Sequence, residues 1–170
     1  TVGADPELFL SRDGSFVSAH SVVPGTKEEP FEVFRGALQV DGVAAEINIK
    51  PAKTYKEFQN NLDTVLGTLK HMTPGYEFLK DVTVELTPEY RETLPASAVT
   101  IGCNADSNAY TADLNLTPDG NTPFRSAGGH IHIGGVFPPD STGRERYALA
   151  VRLTRLMDKY VGVYSVLWDP

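Results

Sequence analysis

The sequence predicts an α+β fold, a mainly antiparallel β-sheet with helices packed on one face. Three observations point there. Two Asp-Gly dipeptides, Asp13-Gly14 and Asp41-Gly42, each stand between apolar runs, a strong local signal for a hairpin. Residues 43 to 49 alternate between two faces, as a half-buried strand does. Two stretches, 54 to 72 and 143 to 166, instead repeat their apolar residues at the helical period.

Taken in order, residues 2 to 10 and 15 to 19 read as strands joined through Arg12-Asp13-Gly14. Beyond the Pro24-Gly25-Thr26-Lys27 turn, 31 to 34 and 38 to 40 read as short strands, and 43 to 49 returns across Asp41-Gly42. Thr54 with Glu57 three residues later is a capping-box signature. Tyr55, Phe58, Leu62, Val65, Leu66, Leu69 and Met72 then form the buried stripe of a helix, which Thr73-Pro74-Gly75 ends. Strands are expected at 81 to 86, 98 to 102 and 129 to 137. The intervening stretch from 103 to 127, rich in Asn, Asp, Thr, Pro and Gly, reads as a long surface loop. The last helix, 143 to 166, carries Leu149, Leu153, Leu156, Met157, Tyr160, Val161 and Tyr164 on one face.

A chain of 170 residues suits a single domain spanning its whole length, and 41% hydrophobic with 22% charged residues marks a packed core rather than disorder. The net charge of -7 repels phosphodiester backbones, so nucleic acid is excluded as a first-choice partner. An acidic chain binds nucleotides by placing divalent cations between its carboxylates and the phosphates. Cys103 is the sole cysteine, so neither an internal disulfide nor a thiolate zinc cluster forms, and the cytoplasm is the expected compartment. No apolar run approaches the roughly 20 residues needed to cross a bilayer. Thr1 in place of methionine is expected to reflect a removed initiator, an expressed segment or a processed fragment.

Strand alternation places Asp5 and Glu7 on one face, where two carboxylates repel unless a cation or a basic group joins them; a solvated edge strand accounts for them equally. Glu46 shares a face with the small Ala44 and with Asn48, and Gln39 and Asp41 precede it, which leaves room for a cation or for an exposed strand face. In Gly128-Gly129-His130-Ile131-His132-Ile133-Gly134-Gly135, the two histidines share a face and the glycines admit another backbone or a ligand. The pair suits a transition metal, a phosphate, or plain strand packing. Lys27 and Arg125 are the candidate cations for phosphate binding or for a developing carbonyl charge. Either could equally be a plain surface charge, Lys27 the more so because it sits in a turn beside Glu28 and Glu29. Asn104, Asp106 and Asn108 could line a site or simply make turns. Cys103 reads as a small buried residue.

The segments Val-Gly-Ala-Asp-Pro-Glu-Leu-Phe-Leu from residue 2, Pro-Gly-Thr-Lys from 24, Gln-Val-Asp-Gly-Val-Ala-Ala-Glu-Ile-Asn from 39, Gly-Cys-Asn-Ala-Asp from 102 and Arg-Ser-Ala-Gly-Gly-His-Ile-His-Ile-Gly from 125 occur in one order. Together they resemble the phage-encoded COOH-NH2 ligase type 2 family, which is similar to the glutamine synthetase and glutamate-cysteine ligase superfamily. The resemblance implies a curved, glutamine synthetase-like sheet and an amidoligase that uses ATP and Mg2+ or Mn2+. Such an enzyme joins a small-molecule or peptide carboxylate to an amine through an acyl phosphate. It also implies that Asp5, Glu7 and Glu46 hold the metal, with Asp41, or less readily Gln39, as a further site acid. His130 and His132 would lie near nucleotide and substrate, with Arg125 on the acyl or phosphoryl group. A phage-encoded enzyme of this kind would act in the host cytoplasm.

Relatives of that kind continue past such a last helix into strands that carry further site residues. The chain is therefore expected to be a fragment, to be completed by another copy or another polypeptide, or to hold a partial site. Two rival functions remain on the sequence alone. One is a metal-dependent hydrolase with His130, His132 and Glu46 around one ion. The other is a non-catalytic binding or assembly module that keeps the ligase fold.

Overall fold

The computed structural model describes residues 1–99, 107–116 and 122–168. Its contacts divide the chain into two units: Thr1–Gly102 with Asp119–Gly134, and Cys103–Pro118 with Gly135–Pro170. The architecture is α+β with antiparallel strand pairing, and no helix of the described residues is long and apolar enough to cross a membrane.

In the first unit the chain runs through β1 (Val2–Ala4), β2 (Glu7–Leu8), β3 (Leu10–Arg12), β4 (Ser15–Val17) and a 3-10 turn at Ala19–Ser21. It continues through β5 (Phe31–Val33), β6 (Gly36–Asp41), β7 (Ala44–Ile49), α1 (Tyr55–Met72), β8 (Glu77–Phe78), β9 (Thr83–Glu85), α2 (Pro88–Glu92), α3 (Ala96–Val99), β10 (Phe124–Ser126) and β11 (Ile131–Ile133). The central sheet has the order β2-β7-β6-β5; β4-β3-β8 form a second sheet, and β1-β11 and β9-β10 are pairs. Asp13 and Gly14 both have positive φ, 52° and 76°, the backbone that a tight hairpin between twisted strands requires.

Alternation along β6 and β7 sorts their side chains into two environments. Leu38, Ala45, Ile47 and Ile49 meet Val65 and Leu69 of α1 in one core, which Leu8 and Leu10 also join. Phe9, Val43, Ala44, Val84, Leu86 and Ala98 form a second core, where Phe16 stands edge-on to both Phe9 and Tyr90. Helix α1 begins as its sequence requires, with the Thr54 hydroxyl accepting from Glu57 N at 3.2 Å. Glu57, however, accepts from Lys53 N at 2.7 Å rather than from Thr54 N, so Thr54 remains the cap and only the reciprocal half of the box is displaced by one residue. Asn61 is buried on α1, donating to Lys50 O and accepting from Arg35 Nη1. It locks the helix to the end of the sheet.

Several predicted elements differ in the structure. Pro6 has no N–H to give a ladder, so the strand expected at 2 to 10 is three short strands with different partners. The strand expected at 15 to 19 stops at Val17, where the Ser18 hydroxyl caps the 3-10 turn. Residues 98 and 99, expected to open a strand over 98 to 102, are the end of helix Ala96–Val99; the rest of that strand, with Cys103, Asn104 and Asp106, lies outside the described residues. Residues 124–126, expected in a loop, pair with β9. The strand expected at 129 to 137 is confined to 131–133.

In the second unit the expected 143 to 166 helix is α4 (Gly143–Met157), one π-helical turn (Asp158–Gly162) and α5 (Val163–Trp168). None of the α4 residues is buried. Thr142 and Glu145 form a complete capping box. Thr142→Ala is expected to cost about 1 kcal/mol, read as faster amide exchange in the first turn of α4; unchanged exchange would show the cap to be idle. Asn108 accepts from Tyr110 N and Thr111 N, which is turn chemistry.

Candidate metal centre

The hairpin register builds the site. Folding β6 onto β7 across Asp41-Gly42 sets Asp41 opposite Ala44 and Gln39 opposite Glu46, and the pairing of β2 with β7 sets Glu7 opposite Glu46 on the other side. Glu7, Glu46 and Gln39 thus stand in one row across three strands, with Asp41 one step along. Ligand oxygens of Glu7, Asp41 and Glu46 lie within 4.8 Å of one another. Carboxylates directly opposite one another destabilise a sheet unless something positive lies between them.

The surroundings compensate only partly. Gln39 is buried and donates its Nε2 to Glu46 Oε2 at 2.9 Å. Gly128 N donates to Glu7 Oε2 at 2.9 Å, and Lys27 Nζ stands 2.7 Å from Asp41 Oδ2. Burial still raises the Glu7 carboxyl above the usual range, and the charges of Asp41 and Glu46 add to this against the pull of Gly128 N–H. Glu46 is raised by burial too, with Asp41 and Asp5 reinforcing and Gln39 and Lys27 opposing. Two carboxyls that resist ionising, beside a third, form a ligand set that a divalent cation would relieve. All its donors are oxygens, the preference of magnesium, manganese or calcium rather than zinc.

Asp5 lies beside this group in a different state. Burial acts to raise it but is outweighed by the hydrogen bonds from His132 and from His130 N and by the histidine charges, so Asp5 is lowered. His130 N donates to Asp5 Oδ1 at 2.5 Å, His132 Nε2 lies 3.0 Å from Asp5 Oδ2, and His130 Nδ1 is 3.3 Å from Oδ1. The pairing of β1 with β11 makes this meeting, setting Gly3 opposite His132. Both imidazoles are largely exposed, with ring centroids 6.1 Å apart. Asp5 therefore ties the histidines to the acids, while the histidines are not members of the three-carboxylate group.

Arg125 is placed otherwise. It is buried in β10, where Nη1 donates to Thr122 O and Phe124 O and Nη2 to Val99 O. Desolvation, with the charge of Arg91, lowers its guanidinium from the ordinary arginine value. Lys27 joins the acids through Asp41, as described. Sequence reasoning weighed Gln39 as a replacement acid and missed it as the donor that orients Glu46. Counting back from the Asp41-Gly42 turn would have placed the two opposite each other. The N–H of Gly128 on Glu7 was equally unforeseen, since it depends on a contact 121 residues away. No family model matches the chain, and neither a curated protein nor a solved structure gives a significant match.

Proposed function

We propose that the chain is a carboxylate-amine ligase of the glutamine synthetase-like kind, binding Mg2+ with ATP at Glu7, Asp41 and Glu46. The observation that carries the reading is the meeting of these three carboxylates, one from each of three strands, in an all-oxygen group in which burial raises Glu7 and Glu46. The resemblance of the sequence to COOH-NH2 ligases of type 2 supports it independently. Bound Mg2+ and ATP would supply phosphoryl activation of a carboxylate, which otherwise has no adequate leaving group for an incoming amine.

The chain's own residues serve that chemistry by position. Gln39 fixes the Glu46 carboxylate, Gly128 N–H fixes Glu7, and Lys27 offsets the negative charge beside Asp41. Asp5 accepts from His132 and holds the imidazole pair at the edge of the acids, where an exposed ring can meet an anionic group. Arg125 is given no contact with substrate in this reading, because both terminal nitrogens of its guanidinium donate to main-chain carbonyls and its Nε is buried. A cytoplasmic setting accords with ATP use.

Magnesium with ATP is expected to raise the melting temperature, and Glu7→Ala to remove most of that rise. A full shift in the variant would sink the metal assignment. Tight stoichiometric zinc without nucleotide would point instead to the hydrolase, a reading the oxygen-only triad disfavours. No binding of ATP by calorimetry in the presence of magnesium would leave a cation-binding module without ligase activity.

A further inference from the structure

A second set of reactive groups lies at the turn end of the β6–β7 hairpin. His20, Thr26, Lys27, Asp41 and Ser97 line a hollow of about 570 Å³ with valine side chains in its wall. In it, His20 Nδ1 is 3.3 Å from Gly42 O, and Nε2 is 3.3 Å from Ser97 Oγ. The carbonyl can only accept, so Nδ1 carries the proton. In the neutral ring Nε2 then presents a lone pair, and Ser97 Oγ–H must be the donor. A hydroxyl that donates to an imidazole whose far side is fixed by an acceptor is the arrangement of an activated serine, here with a main-chain carbonyl in the orienting place.

Both partners are held near the start of β7, around Val43 and Ala44. The turn bearing His20 is held by Ala19 N donating to Val43 O at 2.9 Å and by Ser18 N donating to the Tyr90 hydroxyl at 2.8 Å, and Ala19 is fully buried. Ser97 is carried on α3, whose Ala98 is fully buried in the core that contains Val43 and Ala44. The serine and histidine themselves stay exposed to the hollow. The separation of 3.3 Å is long for a hydrogen bond and in the range found for such pairs before substrate binds.

We propose that Ser97 is a nucleophile, with His20 as its base, that accepts an acyl group from an activated carboxyl compound entering this hollow. Ser97 Oγ forms the bond to the acyl carbon as its proton passes to His20 Nε2, and the bond from that carbon to the leaving oxygen breaks, the electron pair departing with the leaving group. The ester on Ser97 is the product of this step. None of it requires the carboxylate triad to bind metal or nucleotide, so it stands or falls separately from the ligase reading.

The full chain treated with p-nitrophenyl acetate, without metal or ATP, is expected to release a burst of p-nitrophenolate of one equivalent. Acid quenching and peptide mapping should then place the acetyl group on Ser97. Ser97→Ala is expected to abolish the burst and His20→Gln to slow it about a hundredfold, with thermal melting confirming that both variants fold. Acetyl groups found on lysines instead, an undiminished burst in Ser97→Ala, or release no faster than that caused by an equal concentration of free imidazole would each overturn the proposal. If a variant fails to fold, the mapped position of the acetyl group on the wild-type chain decides.

Discussion

Glu46→Gln is expected to melt at a higher temperature than the wild type at neutral pH without divalent cation, and to lose the rise that magnesium with ATP brings. The first effect follows from the raised carboxyls of Glu7 and Glu46. Because they ionise at higher pH in the folded chain than in the unfolded one, the native state holds protons the unfolded state has already released. Stability therefore falls as pH climbs from the unfolded to the folded value, and stays reduced above it. Glutamine keeps an oxygen for the Gln39 amide and removes a charge from the row, so that loss becomes smaller. Asp5 acts in the opposite sense: lowered in the folded state, it stabilises above the ordinary aspartate range and ceases to do so as pH drops through its folded value. The second effect follows from losing an anionic ligand, which should weaken cation binding by more than the roughly 10–100-fold that loss of a mere outer-shell partner causes. Melting curves across pH, with and without the cation, separate the two. A glutamine variant that is less stable without metal would show that the row is not under electrostatic strain; one that keeps the magnesium shift would move the cation elsewhere.

What could be read in advance was whatever depends on near neighbours in the chain. The Asp13-Gly14 and Asp41-Gly42 turns, the stripe of α1 and the Thr54 cap all follow from local periodicity and side-chain chemistry. Even the burial of Leu8 and Leu10 in one core and Phe9 in the other follows the expected alternation, although Pro6 breaks the strand. Residues 98 and 99 read as strand in the sequence because Val99 begins a run of β-branched residues. Burial of Ala98 behind Pro95, whose carbonyl accepts from Ala98 N, outweighs that propensity. Arg125 looked like a loop residue because its strand is three residues long and exists only through pairing with β9. The candidate site divides the same way. The Gln39–Glu46 opposition is implicit in one hairpin, whereas Glu7 joins through β2 on β7 and Asp5 meets the histidines through β1 on β11. Only a grouping of several distant motifs could suggest those meetings, since no local pattern encodes them.

Gly129→Ala is expected to destabilise the chain by about 2–4 kcal/mol and to detach the histidine strand from the acids, whereas Gly128→Ala one residue earlier should stay within about 0.5 kcal/mol. Gly129 has φ of 154°, and a Cβ there would lie 2.9 Å from Pro6 Cα, 3.2 Å from Asp5 O and 3.3 Å from Pro6 N. Those are main-chain atoms and have no rotamer by which to retreat. A Cβ on Gly128 meets nothing within 4 Å. The segment that would be displaced exchanges Glu7 N to Gly128 O and Gly128 N to Glu7 Oε2, and brings His130 N and His132 Nε2 onto Asp5. Pushing it outward strips Glu7 of its only main-chain donor among the described contacts and frees Asp5 from both histidines. Asp5→Asn should then cost much less in the Gly129→Ala background than in the wild type, a non-additivity that chemical denaturation can measure. Equal losses for the two glycine variants, or additive effects with Asp5→Asn, would mean that the close approach of Gly129 to Pro6 does not hold the imidazoles against the carboxylates.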